Sequence, residues 1–332
     1  MGTRFERYLP SITKSDNHVN SLPVIAAIDI GTNTIRLLIG RLQDGRLRRL
    51  RQERVVTCLG KGLSSSGHLD SNNAELSITT LNNFKAICQQ YSVGQIIAVG
   101  TSALREALDS MHFLEMTASR TGIIVDVISG EAEAALTIKG ILSGQESINT
   151  GKVCSVIADI GGGSTEIIAT GKINAMFSIP IGAVKLFEQY IKSDPPTDYD
   201  LRLLFEDIRT ALDQSTLAVR DGMNPQTCKL ICTGGTPTTL AAMSLKMESY
   251  DGDKVHGVQL PYSVIHNIFN ELVSLSTADR QNMMGLEPER ADIIIPGTAI
   301  LIVLMRVLGV GEVTVSDFGL LEGIINDQLK TA

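Results

Sequence analysis

The chain reads as two related α/β units that hold one ligand between them. Residues 25–40 run IAAIDIGTNTIRLLIG, and residues 155–171 run SVIADIGGGSTEIIATG. Each is an apolar run, then Asp-Ile-Gly, then small and hydroxyl residues, then a second apolar run. That is the pattern of a strand, a tight turn and a returning strand. Asp29 and Asp159 hold the same place in the two copies. Strand and helix patterns alternate through the rest of both halves, which predicts layered α/β structure. At 332 residues the chain also exceeds the usual limit of a single core.

The elements follow in order. After the first hairpin, 47–57 reads as a strand, and LGKGL at 59–63 with the serines at 64–66 as a loop. Leu76, Leu81, Phe84, Cys88 and Tyr91 mark one helix face. QIIAVG at 95–100 is a buried strand ending at Thr101. A helix from Ser102 carries Leu104, Leu108, Met111 and Phe113. IIVDVI at 123–128 is a strand, and SGEAEAAL opens a helix. The second half repeats the plan. Hairpins cover 153–180, a helix starts near Gly182, and DPPTDYD at 194–200 is a surface loop. A helix runs on to Val219, CKLICT at 228–233 is a strand, and GGTPTTLAAM leads into a helix with Pro237 at its first position. Helices are expected at 262–276 and 290–308, a strand at 312–316 and a closing helix at 318–330. The domain limits expected are a flexible tail at 1–22, domain I at 23–145, domain II at 146–310 and a closing strand and helix at 311–332.

Composition narrows the function. Hydrophobic content of 43% and charge of 20% are those of an ordinary globular protein. A net charge of −7 argues against broad electrostatic binding of nucleic acid. An anionic ligand would have to be held by a local site. The 5 cysteines, Cys58, Cys88, Cys154, Cys228 and Cys232, are scattered and odd in number. No signal peptide opens the chain, so a reduced cytoplasmic protein is expected. Cys228 and Cys232 fall on one face of an apolar run, where core packing is favoured over metal binding. The apolar run Ile293 to Met305 contains Pro296 and Gly297 and is too short to span a membrane, so it reads as a buried helix.

Three glycine-rich turns follow apolar strands: DIGTNT at 29–34, DIGGGST at 159–165 and TGGTPTT at 233–239. Glycines alone only permit tight turns. Three such turns flanked by threonine or serine favour phosphate binding through backbone N–H groups and hydroxyls. The candidate phosphate ligands are Gly31, Thr32, Asn33 and Thr34, then Gly161, Gly162, Gly163 and Ser164, then Gly234, Gly235 and Thr236. Arg105 in GTSALRE sits in the first turn of a helix, beside free N–H groups and the positive end of the dipole. Glu131 and Glu133 open a helix after Gly130. Their spacing does not separate a catalytic role from simple complementation of the dipole. Asp29, Asp159 and Glu166 are the acids suited to a hydrated magnesium ion and an activated water.

These motifs resemble the exopolyphosphatase and guanosine pentaphosphate phosphohydrolase family, a branch of the actin, sugar-kinase and heat-shock chaperone ATPase superfamily. The resemblance runs from about 24 to 328. It rests on AAIDIGTNTIRLLI, GTSALREA, ISGEAEA, VIADIGGGSTEI, SIPIGAVKLFE, CTGGTPTTLAA, GLEPERADIIIPG and SDFGLLEG, in the family's order. It implies two actin-like, ribonuclease H-like α/β domains with an inter-domain cleft. It implies Glu133 as catalytic base, Asp159 and Glu166 near a metal, Asp29 in the first loop and Arg105 on phosphate. The chain departs from the family in Ala132 and Ala135, where Glu and Arg are usual, and in Leu321, where Arg is common. The additional C-terminal helical region that some members carry is not expected in this chain.

The function expected is release of the terminal phosphate from linear, short-chain polyphosphate, dependent on Mg2+ or Mn2+. The expected absence of that C-terminal region and the cations lost at Ala135 and Leu321 leave few contacts for a long anion. Guanosine pentaphosphate hydrolysis is the alternative, and a non-catalytic alarmone sensor is a second. A sugar kinase of the same superfamily is usually longer. No nucleic acid or membrane partner is expected, and a homodimer is left open.

Overall fold

The central strands are buried along their whole length, and largely apolar, because both their faces are covered. In a computed structural model, which describes residues 23–43, 46–144, 155–170 and 175–331, they build two mixed sheets. The first sheet contains β1 (Ile25–Ile30), β2 (Thr34–Gln43), β3 (Arg46–Val56), β4 (Gln95–Gly100) and β5 (Val125–Val127), in the order β3-β2-β1-β4-β5. β2 pairs antiparallel with β1 and β3, and β4 runs parallel to β1 and β5. Its helices are α1 (Leu63–Ser66), α2 (Ser71–Gln90), α3 (Ser102–Glu106), α4 (Ser110–Thr121) and α5 (Gly130–Gly144).

The second sheet contains β6 (Ser155–Ile160), β7 (Thr165–Thr170), β8 (Ala175–Ile179), β9 (Lys229–Thr233), β10 (Gln259–Pro261) and β11 (Glu312–Val315). Their order is β10-β11-β9-β6-β7-β8. The helices are α6 (Ala183–Tyr190), α7 (Asp198–Gly222), α8 (Gly235–Ser244), α9 (Gly252–Val255), α10 (Tyr262–Ser274), α11 (Thr277–Arg280), α12 (Ile294–Leu308) and α13 (Leu320–Thr331). The two sheets repeat one plan. Antiparallel hairpin β1–β2 pairs Asp29 with Arg36, and hairpin β6–β7 pairs Asp159 with Glu166 at the same place. A parallel strand then joins each, β4 on β1 and β9 on β6.

Successive residues of β1 serve two cores, as the period of a strand dictates. Ala26, Ile28 and Ile30 pack with Ile78, Leu81 and Phe84 of α2. Ile25 and Ala27 pack with Leu320, Leu321, Ile324 and Ile325 of α13. In the second sheet Ile157, Ile168 and Ile231 pack with Ala134 and Ile141 of α5. The two helices therefore change sides. α5 follows the first sheet in sequence and covers the second, while α13 follows the second and covers the first.

Several elements differ from the sequence expectation. Residues 64–66, expected in the loop, belong to helix α1, which Gly62 and Gly67 flank in the left-handed region. The single helix expected from Ser102 breaks at Ala107, whose backbone is extended. Asp109 then caps the Leu69 amide at 3.1 Å, and Leu108 and Met111 point to solvent. Helix α7 begins inside the expected loop, because Thr197 and Asp200 form a reciprocal capping box. Pro237 lies within the first turn of α8, which starts at Gly235. A 3-10 turn at Pro288–Arg290 precedes α12, which is buried almost throughout despite Pro296 and Gly297. Cys228 and Cys232 are buried in the second core, where apolar packing explains them. The tail expected at 1–22, Cys154 and the hairpin tip at 171–174 lie outside the described residues. Among those described, no helix is long and apolar enough to cross a membrane.

Candidate active site

Each glycine-rich turn sits at the C-terminal end of a buried strand, so all three reach the same cleft. The first two close alike: Gly31 N–H donates to Thr34 O at 3.1 Å, and Gly161 N–H to Ser164 O at 3.0 Å. Their tips touch. A Cβ on Gly163 would lie 2.4 Å from Ser102 Oγ and 2.7 Å from Thr32 Oγ1. The third turn folds over Asp159, where Gly234 at φ 97° adopts a backbone that favours glycine and leaves no room for a Cβ beside Asp159 Oδ1. Together they line a cleft of about 400 Å3.

Among the predicted residues, Asp29, Gly31, Thr32, Asn33, Thr34, Glu133, Asp159, Gly161, Gly162, Gly163, Ser164, Gly234, Gly235 and Thr236 line this cleft. Arg105 and Glu166 do not. The Arg105 guanidinium stands behind Glu133, donating to its Oε2 at 2.7 Å and to Ile128 O at 3.0 Å. Glu166 is buried beneath the turns, accepting from Ser178 Oγ at 2.7 Å. Helix geometry separates the two glutamates that spacing left equal. Glu133 is buried and faces the cleft, whereas Glu131 is exposed.

The acids crowd one another. Burial pushes the Glu133 carboxyl well above the usual carboxylate range, and Glu166 adds to the shift against Arg105. Burial and Asp159 push Glu166 up to about 7. Burial also raises Asp159, with Arg36 opposing. Two oxygens in this group, Asp29 Oδ1 and Glu166 Oε2, are buried without a hydrogen-bond partner. Orphaned carboxylate oxygens in an acidic cluster fit a divalent cation. Among the described residues, however, no three His, Cys, Asp or Glu side chains converge as one ligand set. Asp29, Asp159 and Glu166 thus do not form a three-carboxylate cage. Mg2+ commonly takes one or two carboxylates and keeps its remaining waters, so it fits better than a fully protein-ligated ion.

Three arginines lie in the cleft that the sequence reading did not single out: Arg36, Arg54 and Arg290. Arg36 holds Asp29 Oδ2 through Nη2 at 2.6 Å. It occupies the register position that Glu166 takes in the second hairpin. That asymmetry between the two copies was the available signal. Arg54 and Arg290 meet only in the fold; Arg290 lies within the GLEPERADIIIPG motif, which gave it no role, and no local pattern marks Arg54. Leu321 also lines the cleft, beside Glu322.

Two facing α/β halves with duplicated hairpin turns, a buried carboxylic acid and arginines define an enzyme class that handles anionic phosphoryl groups. The comparisons place it further. Residues 38–332 match the Ppx/GppA phosphatase family, and the chain belongs to that family. It is 30% identical to exopolyphosphatase 2 of Mycobacterium tuberculosis, over 92% of this chain and 98% of that protein. The crystal structure of the Aquifex aeolicus Ppx/GppA family member is 30% identical, with a TM-score of 0.77 over 93% of this chain and 99% of its own. That of an exopolyphosphatase from Cytophaga hutchinsonii is 26% identical, with a TM-score of 0.84 over 93% and 98%. The fold is thus the two-domain, actin-like fold of that family, and the chain is a phosphohydrolase.

Proposed function

We propose that this protein hydrolyses the terminal phosphoanhydride bond of linear, short-chain polyphosphate, with Glu133 as general base. The observation that carries the reading is Glu133 itself. It is a buried acid with raised proton affinity, fixed by Arg105, facing a cleft lined by three glycine turns. A raised proton affinity makes Glu133 a stronger base than an ordinary carboxylate. Water attacks the terminal phosphorus and forms the new O–P bond. Its proton passes to a Glu133 carboxylate oxygen as the bridging P–O bond breaks, releasing orthophosphate and a chain one phosphate shorter. Arg36 and the N–H groups of the turns offset the charge of the transferred group, which is where catalysis of such steps chiefly lies. A bound Mg2+ or Mn2+ would supply further charge neutralisation, and Asp29, Asp159 and Glu166 are the residues that would hold it, directly or through water.

The names of the relatives support the exopolyphosphatase reading. Guanosine pentaphosphate is the second reading, favoured by one feature: Tyr250 lines the same cleft with the Arg54 guanidinium 5.9 Å from its ring centre, a surface on which a base could stack. The test is phosphate release from short polyphosphates, long polyphosphates and guanosine pentaphosphate, each with Mg2+ or Mn2+. The highest kcat/KM is expected on the short chains. A clear advantage for either other substrate overturns the preference, and release from none of them favours a sensor.

A further inference from the structure

The cleft already contains an anion of its own. Arg36 and Arg54 are register partners across β2 and β3, and burial, followed by the nearby charge of Arg290, depresses the proton affinity of Arg54. Asp29 pairs with Arg36. Arg54 and Arg290 share a single carboxylate, that of Glu287. Its Oε2 accepts from Arg290 Nε at 2.7 Å, and its Oε1 pairs with Arg54 Nη2. Arg54 belongs to the first sheet and Glu287 to the turn before α12, so the pair spans the cleft. The Arg290 guanidinium lies directly on Gly235 of the third turn, where a Cβ would sit 1.9 Å from Nη1. A carboxylate held between two guanidiniums presents to them the same planar, bidentate chemistry as a phosphate. Arg54 and Glu287 are both partly open to solvent, with side-chain exposures of 32% and 20%, so an anion entering the cleft can reach the pair.

We propose that Glu287 is a tethered competitor for the substrate: it occupies the seat of a phosphate distal to the scissile bond, and Arg54 takes that phosphate when Glu287 leaves. The inference rests on the polyphosphate reading and adds a specificity device to it. A polyphosphate that reaches Arg54 must displace Glu287, whereas a lone phosphate bound at the glycine turns leaves it in place. Apparent affinity for the longer anion is then reduced by the fraction of time that the seat is free. Substrate entry also dissolves a cross-cleft ion pair.

The test uses Glu287→Gln, which keeps the side-chain shape, and Glu289→Gln, the same charge change on an exposed neighbour. Steady-state kinetics with tripolyphosphate are measured on each. Calorimetric binding of tripolyphosphate and of orthophosphate is measured in a Glu133→Gln background, where turnover does not interfere. Glu287→Gln is expected to lower KM and Kd for tripolyphosphate about tenfold, the factor for removing a competitor present about nine-tenths of the time. kcat and orthophosphate binding should stay within about twofold, as should every constant of Glu289→Gln, since an exposed charge contributes little. Adding Arg54→Ala to Glu287→Gln should abolish the gain. Unchanged or weaker tripolyphosphate binding by Glu287→Gln overturns the proposal. So does an equal gain from Glu289→Gln, which would mean a diffuse charge effect, or an equal gain for orthophosphate. If Glu287→Gln fails to fold, Arg54→Ala alone decides: it must weaken tripolyphosphate and spare orthophosphate. The binding arm reads the seat even if the wild-type protein releases no phosphate, so failure of the polyphosphate reading remains distinguishable.

Discussion

Glu133 and Glu131 differ by two positions in sequence and by everything in environment, so they separate cleanly by substitution. Glu133→Gln is expected to keep the fold and lower kcat by roughly 10²–10⁴, the range for a positioned general base. Glu131→Gln should change it less than about threefold, as ordinary surface substitutions do. Equal losses in single-turnover assays would refute the assignment. Glu166 governs stability instead. In the metal-free protein its carboxyl is raised from the ordinary 4.5 to about 7 by burial and Asp159. An acid raised in the native state keeps its proton longer there than in the unfolded chain. Its contribution is fully present below the unfolded value and is lost as pH rises towards about 7. The chelated protein should therefore melt at lower temperature at pH 8 than at pH 5. Mg2+ should raise the melting temperature more at pH 8, where the carboxylates are free to receive it. Equal Mg2+ effects at the two pH values would exclude these acids as its site.

At the level of elements, α5 and α13 meet on glycine. A Cβ on Gly140 would lie 1.8 Å from Gly319 O, and one on Gly323 would lie 1.8 Å from Leu136 O. Backbone carbonyls cannot move aside as a side chain does. Alanine is the better helix former by about 1 kcal/mol. Overpacking costs about 1–3 kcal/mol and should be at the upper end here, so the clash wins. Gly140→Ala and Gly323→Ala should each lower the melting temperature by several degrees, while Gly311→Ala, with open space around its Cβ, should be neutral. Calorimetric melting curves decide the matter, and a neutral Gly323→Ala would show that the helices can part. The same close approach lets each helix cover the sheet of the opposite half.

For the whole molecule, the cleft is held by contacts on opposite halves. Glu188 of α6 accepts from Gly62 N–H at 2.6 Å, Lys185 of α6 pairs with Glu106 of α3 at 2.6 Å, and Arg54 pairs with Glu287. Partly exposed pairs are each worth about 0.2–1 kcal/mol, so closure held by them is reversible. A Lys185→Ala/Glu188→Ala variant should show a larger radius of gyration by small-angle scattering. Tripolyphosphate with Mg2+ should restore the compact value by bridging the halves. An unchanged radius in the unliganded variant would mean that the core, not these pairs, sets the angle.

The strands, the three glycine turns and the duplicated Asp29 and Asp159 are legible in the sequence because each depends on neighbours a few residues away. Apolar runs, tight turns and helix starts are local events. The family motifs likewise mark Glu133 before its surroundings are known. What depends on distant partners is not legible. Whether Glu133 or Glu131 faces the cleft depends on how α5 lies against the second sheet. That Arg105 backs Glu133 instead of lining the cleft depends on α3 and α5 being brought side by side. Glu287 and Arg290 sit three residues apart on one turn, but Arg54 lies far from them in the chain and joins their charge cluster only when the two halves close. The exchange of α5 and α13 between the sheets is equally invisible, because apolar helices of similar pattern bury as well on either sheet. Local sequence specifies the elements and their chemistry. Which acids share a field, and therefore which of them hold a proton, is decided by burial and proximity, and these exist only in the assembled fold.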